Sequence, residues 1–360
     1  MNTIYENEII ENKMTDLLNT RLNTKSLMVV DTTLSENAGL RKVINRYTYN
    51  GKVEQLGKGE KNSVKGTVSF VPEYYDVKRY QQTFEYNDMD AMADPYIVDV
   101  AMQGAITEIA NEINEEYVSE ILKIGTRYAY EGESITYSDF VDALAKIDCE
   151  VDSELFIIMG AEARKEIRKD PDFISAKQGE IVYSGQFGTI CGIPVLFSKL
   201  MPAGKIVITN KNAVRFFVKK SASVEQARDI ETKDNTVVYE RHGLIALVDD
   251  TNSVLIGKNP PTMNGWFFLE NAPDGFCEVN CAADPLSPDY AYYFKFNSTP
   301  HFVGDIINTD EWEVFPRNGY YSMDQTKAGD TLYIVEVDKE TNAVVREITY
   351  TYTQESLLED

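Results

Sequence analysis

Residues 94–125 read DPYIVDVAMQGAITEIANEINEEYVSEILKIG, and the spacing inside this stretch sets the frame for the rest of the chain. Ile97, Ala101, Ala105, Ile109, Ile113, Tyr117 and Ile121 recur four apart, an apolar stripe that drifts slowly round a helix. Asn111, Glu112, Glu115, Glu116 and Ser119 take the other side. Asp94 is placed to cap the first turn, Pro95 suits the first helical position, and Gly125 stands where a left-handed residue would end the last turn. Such a helix is a rod of roughly 45 Å, long for a globular domain. The stripe lacks the alternating three-and-four step of a coiled coil, so a spine laid across a sheet fits it better.

On the N-terminal side, residues 47–86 read as one long hairpin. Its strands are rich in β-branched and aromatic residues, and Gly51, Gly57, Gly59 and Gly66 punctuate the middle. From Arg41 to Lys65 there are seven basic residues against two acidic ones, a net +5. Lys52, Lys58, Lys61 and Lys65 are the candidate contact residues, because a basic hairpin on an acidic chain asks for an acidic partner. The alternative is a solvated glycine loop with incidental lysines. Neither a phosphate loop nor a dinucleotide fingerprint is present. Residues 1–46 carry a short helix candidate, Ile9 to Leu22, and a brief strand, Leu27 to Val30. They read as an arm that needs neighbours.

On the C-terminal side the pattern turns to alternating helices and strands. Ser138 to Ile147 and Ala161 to Arg168 are helical, and Leu155 to Met159 is a continuous apolar strand. Val195 to Phe197, Lys205 to Ile208 and Val214 to Val218 follow as strands, with a turn at Gly192-Ile193-Pro194. Val224 to Arg228, Val237 to Val248 and Val254 to Ile256 complete a β stretch in which His242 reads as structural. At Lys258-Asn259-Pro260-Pro261 the composition shifts. Residues 259–360 hold 18 acidic and 5 basic residues, both tryptophans (Trp266 and Trp312) and 15 Phe or Tyr. With strand candidates at Gly265 to Leu269, Tyr290 to Phe296, Thr331 to Val337 and Ala343 to Tyr352, this reads as an independent all-β domain behind a Pro-Pro linker. Its aromatics suit core packing better than sugar binding.

The 360-residue chain has a formal net charge of −23 and is 43% hydrophobic. That balance argues against gripping nucleic acid or an anionic membrane surface. It is too apolar and too aromatic for disorder. Two histidines and four scattered cysteines offer neither a metal cage nor a disulfide framework. The N-terminus lacks the pattern of a signal peptide, and no run approaches eighteen apolar residues. Catalytic signatures such as G-x-S-x-G, H-E-x-x-H and C-x-x-C are missing, so the expectation is no enzyme and no cofactor.

The order of arm, basic glycine hairpin, capped spine helix, α/β unit and long strands resembles the major capsid proteins of tailed bacteriophages, the Hong Kong 97-type fold. The resemblance covers roughly residues 25–257. It is most specific in Gly188-Thr189-Ile190-Cys191-Gly192-Ile193-Pro194-Val195, in Met201-Pro202-Ala203-Gly204-Lys205-Ile206-Val207-Ile208, in Val214 to Val218 and in Val237 to Asp249.

The fold class this implies is α+β: an N-terminal arm (1–46), an extended loop (47–86), a peripheral domain with the spine helix (87–134), an axial domain (135–221) and peripheral return strands (222–258). A sandwich-like β domain (259–360) is added on the capsid exterior, and shells are expected to survive its deletion. The implied function is architectural: hexamers and pentamers of the chain close an icosahedral shell around double-stranded DNA that they confine without specific binding. The arm would reach across to adjacent subunits. A separate scaffolding protein, a portal and decoration proteins are the implied partners, with assembly in the bacterial host cytoplasm, residence in the virion capsid and no membrane. Two alternatives stand beside this: an encapsulin-like compartment shell, and a glycan-binding surface protein acting through the C-terminal domain.

Overall fold

The computed structural model describes residues 12–18, 23–36, 38–51, 53–56, 61, 65–94, 96–147, 154–171, 188–271, 277–315, 320–323 and 329–352. In chain order the elements begin with α1 (12–18), β1 (Val29–Asp31), α2 (Thr33–Glu36), β2 (Arg41–Asn50), β3 (Thr67–Asp76), β4 (Lys78–Asn87), α3 (Asp88–Ala93) and α4 (Ile97–Ile121). Then come β5 (Arg127–Tyr130), α5 (Tyr137–Leu144), β6 (Leu155–Met159), α6 (Ala161–Ile167), β7 (Thr189–Ile190), β8 (Ile193–Phe197), β9 (Ile206–Asn210), β10 (Val214–Arg228), β11 (Asp234–Leu247) and β12 (Val254–Lys258). The C-terminal part holds β13 (Phe267–Asn271), β14 (Cys277–Cys281), β15 (Tyr290–Phe296), β16 (Glu313–Val314), β17 (Tyr320–Met323), β18 (Thr331–Asp338) and β19 (Val344–Thr351).

The apolar stripe forms because α4 lies across a four-stranded sheet ordered β1-β10-β11-β4. Val98, Met102, Ala105, Ile109, Ile113, Tyr117 and Ile121 are buried, while Glu112, Glu115 and Ser119 face solvent. At 25 residues the helix is ~37 Å long. Asp94 acts one turn ahead of it, accepting from the Tyr96 N–H at 3.0 Å. Gly125 is not in the left-handed region. It is where the backbone passes the β11–β12 turn, its N–H donating to Asp250 Oδ2 at 3.1 Å, so space rather than φ explains the glycine. Pro95 lies outside the described residues.

A six-stranded sheet runs β5-β12-β9-β6-β8-β7. Its middle strands are apolar on both faces because both are covered. Phe156, Ile158, Val207 and Leu255 join the spine-helix core; Ile157, Met159, Ile206, Ile208 and Ile256 face a second core that includes Phe140 of α5 and Ile167 of α6. Two boundaries drawn from the sequence shift. Val214 to Val218 is not an axial strand but the start of the 15-residue β10, which pairs along β11. β12, assigned to the peripheral return, pairs with β5 and β9 in the six-stranded sheet. The turn after Ile190 is Cys191-Gly192, both at positive φ, and Ile193 and Pro194 already belong to β8.

The arm is also corrected. Met14, Leu18 and Met28 are buried in this chain's own spine-helix core, β1 pairs parallel with β10, and Thr24 donates through its hydroxyl and N–H to Asn114 Oδ1 at 2.8 and 3.3 Å. Residues 12–18 and 23–36 therefore pack on their own subunit.

The C-terminal part places a sheet β13-β14-β17 against a sheet β16-β15-β18-β19. Phe267, Val279, Tyr292, Phe294, Phe315, Leu332 and Ile334 fill one core, with edge-on rings such as Phe267–Tyr292 at 5.0 Å. It is not an independent bead behind a linker: Pro260 is buried, Thr262 bridges to Glu347, and Phe302 enters the spine-helix core.

Candidate functional site

The hairpin differs from its sequence outline. β2 and β3 pair in full register, from Arg41 opposite Asp76 to Asn50 opposite Thr67, and stand as a separate two-stranded sheet. β4 follows after Val77 alone but leaves the hairpin to pair with β11. Hence the projecting element is 41–76, not 47–86. The β-branched and aromatic residues of 77–86 announce a strand without naming its partner. Ten residues per strand give a ladder of about 33 Å.

A two-stranded ladder has two faces, and the register sorts them. On one face, Ile44 and Tyr75 pack at the root on Phe217, Leu244 and Ala246. Lys42 Nζ lies 4.8 Å from the centre of the Phe217 ring. Arg46 bridges the hairpin to the body, its Nη2 at 3.3 Å from Glu73 and its Nη1 at 3.3 Å from Asp250. Burial and the Glu120 charge push the Tyr75 phenol well above its ordinary value, so it stays protonated and donates to Glu73 Oε2 at 2.8 Å. Root and body are thus joined by a small apolar cluster plus an ion-paired turn.

The opposite face is uncovered. Val43 opposite Tyr74, Tyr47 opposite Phe70, and Val68 further out are all exposed, Tyr47 at 69% and Phe70 at 58%. The Tyr47 and Phe70 rings meet at 6.1 Å. An aromatic and β-branched face without a covering layer marks a contact surface, because two strands alone are marginal in water. A count of charge along the sequence does not reveal this face. The signal was present in the even spacing of Val68, Phe70 and Tyr74, two and four residues apart, but only the register puts Val43 and Tyr47 beside them.

The charged residues divide. Arg41 pairs with Asp76 across the root at 2.7 Å, and Lys42 and Arg46 are engaged as described, so three of the seven basic residues already have partners. Lys61 and Lys65 are exposed in the connection between β2 and β3. Lys52 and Lys58 lie outside the described residues. Among the described residues there is no cluster able to hold a metal ion, and no helix is long and apolar enough to cross a membrane. Both tryptophans are turned inward: Trp312 is 8% exposed, and Trp266 lies beneath the Arg346 guanidinium at 3.8 Å.

With this geometry in hand, comparison with known proteins places the chain. No protein-family model matches it. It is 21% identical over 266 residues to the major capsid protein of Staphylococcus phage phiMR11, covering 71% of this chain and 96% of that protein. Among solved structures it is similar to the capsid of the cyanophage P-SCSP1u, with TM-score 0.52 and 12% identity over 64% of this chain and 86% of that one. It is also similar to the structure from Microbacterium phage Oxtober96, with TM-score 0.51 and 10% identity over 66% and 91%. The spine helix, long-stranded sheet, six-stranded sheet and projecting hairpin are the Hong Kong 97-type fold that these phage structures share. By sequence the chain is similar to a phage major capsid protein.

Proposed function

We propose that copies of this chain close an icosahedral shell around the double-stranded DNA of a tailed phage by laying the free face of each 41–76 hairpin on a neighbouring subunit. The observation that carries this is the uncovered face of Val43, Tyr47, Val68, Phe70 and Tyr74 on a ladder held to the body only at its root. Burying such a face supplies the association energy, and the lysines Lys52, Lys58, Lys61 and Lys65 set its register on an acidic neighbour. Hexamers and pentamers are the assembly units. A separate scaffolding protein guides closure in the host cytoplasm, and a portal and decoration proteins complete the particle. The chain acts as a wall and carries no catalysis. Its net charge of −23 suits a container whose contents slide rather than bind. The C-terminal sandwich stands on the exterior.

The encapsulin-like alternative has less support, since the relative by sequence is a phage capsid protein. The glycan-binding alternative has less support, since Trp312 is buried and Trp266 is half-buried beneath the Arg346 guanidinium. Negative-stain microscopy of the purified chain with its scaffold tests the proposal: uniform closed shells are expected, and monomers under every condition refute it.

A further inference from the structure

The segment Pro300–Asp305 is gripped from two sides. On the sandwich side, Glu347 Oε2 accepts the His301 N–H at 3.2 Å and lies 2.6 Å from His301 Nδ1. The Gly304 N–H donates to the Val344 carbonyl at 2.8 Å, with Gly304 at φ +79°. On the body side, the Val303 N–H donates to the Lys258 carbonyl at 3.1 Å. The Phe302 ring occupies the space a side chain at position 257 would need: a Cβ on Gly257 would sit 2.3 Å from Phe302 Cγ. Arg127 Nη1 donates to the Pro300 carbonyl at 3.0 Å and to Asp305 Oδ2 at 2.9 Å, while its guanidinium lies 5.2 Å from the Phe302 ring centre. Lys205 Nζ donates to Asp305 Oδ1 at 2.5 Å. The Asp305 and Lys205 side chains are only 12% and 9% exposed, so this is a desolvated pair that depends on its partners.

Arg127 opens β5, Gly257 and Lys258 close β12, and Lys205 immediately precedes β9. These are three successive strands at one edge of the six-stranded sheet. We propose that Pro300–Asp305 is a clasp through which the C-terminal sandwich braces that sheet edge, with Asp305 tying the outer two of the three strands and Phe302 sealing the core beneath the middle one. The sandwich is then a structural part of the subunit body and not a removable attachment. This goes beyond the assembly proposal and holds whether or not a shell forms.

Hydrogen–deuterium exchange on the unassembled full chain tests it. Asp305→Asn keeps the shape and removes the charge, and Arg127→Gln is a second change at a less buried position, 22% exposed. Glu340→Gln, on the exposed β18–β19 turn, is the control. Asp305→Asn is expected to speed exchange in 127–130, 206–210 and 254–258 by about tenfold or more, with β18 and β19 unchanged. Arg127→Gln is expected to act in the same direction, most in 127–130. Should Asp305→Asn fail to fold, Arg127→Gln decides. Wild-type exchange in the three strands of the folded variants, or acceleration confined to 300–350, overturns the clasp.

Discussion

Truncating Phe70 separates a shell contact from a core residue. Its ring is 58% exposed in the single subunit and, among the described residues, meets the Tyr47 ring at 6.1 Å. Full burial of a Phe side chain is worth about 1.5–3 kcal/mol. Covering the exposed fraction on a neighbour therefore contributes on the order of 1–2 kcal/mol per contact. Since 1.4 kcal/mol is tenfold in an association constant, Phe70→Ala is expected to raise the concentration at which shells form by roughly tenfold. Phe70→Asp is expected to do more, because the interface then has to desolvate a carboxylate. Neither change touches the cores of the body, so thermal unfolding of the unassembled subunit should move by less than about 0.5 kcal/mol. Light scattering against concentration, with microscopy of the products and melting of the free subunit, reads both quantities. Assembly of both variants at the wild-type concentration would refute the docking face. A fall of several degrees in the melting of the free subunit would show instead that Phe70 belongs to the subunit's own packing.

The other predictions concern charge, fit and pH. Replacing Lys52, Lys58, Lys61 and Lys65 together with glutamine should weaken assembly most at low salt, and unchanged assembly there removes the electrostatic part of the contact. Gly257→Ala should cost about 1–3 kcal/mol or more by overpacking against Phe302, measured by denaturant unfolding, and Gly257→Ala with Phe302→Ala should cost less than the two single changes summed. Burial alone would raise the Asp305 carboxyl, but the Lys205 and Arg127 charges and the Phe302 N–H more than offset it and hold it below the ordinary carboxylate value. Its contribution is thus complete above the unfolded value of about 4 and is lost as pH falls through the lower folded value, so acid unfolding should flatten in Asp305→Asn. Removing residues 259–360 strips the counter-charge from Lys205 and uncovers Gly257 and Leu255. The truncated chain is therefore expected to melt lower and assemble poorly, against the expectation implied by the family resemblance, and unchanged stability and assembly would restore that expectation.

The chain's own order of residues determined a good deal. The four-residue recurrence from Ile97 to Ile121 specified α4 and the face it buries, because one helical stripe needs one covering surface. The unbroken apolar run Leu155–Met159 specified a strand covered on both sides, and the long strand read over 237–248 covers most of β11. The turn and strand expected at Met201 to Ile208 form because Gly204 at φ +73° turns the chain into β9.

Partnership was decided only by the tertiary structure. Periodicity reports that a face is apolar and is silent on what covers it, so 77–86 read as hairpin when β4 belongs to the spine-helix sheet. For the same reason the arm read as reaching outward when Met14, Leu18 and Met28 fill the chain's own core. The hairpin's free face waited on a register that sets Tyr47 opposite Phe70. The Asp305 ties join residues 178 and 100 positions apart, and Phe302 fits Gly257 across a domain boundary. Contacts over such separations leave no local trace in sequence, because each residue alone is an ordinary aspartate, arginine, lysine, glycine or phenylalanine until the fold brings them together.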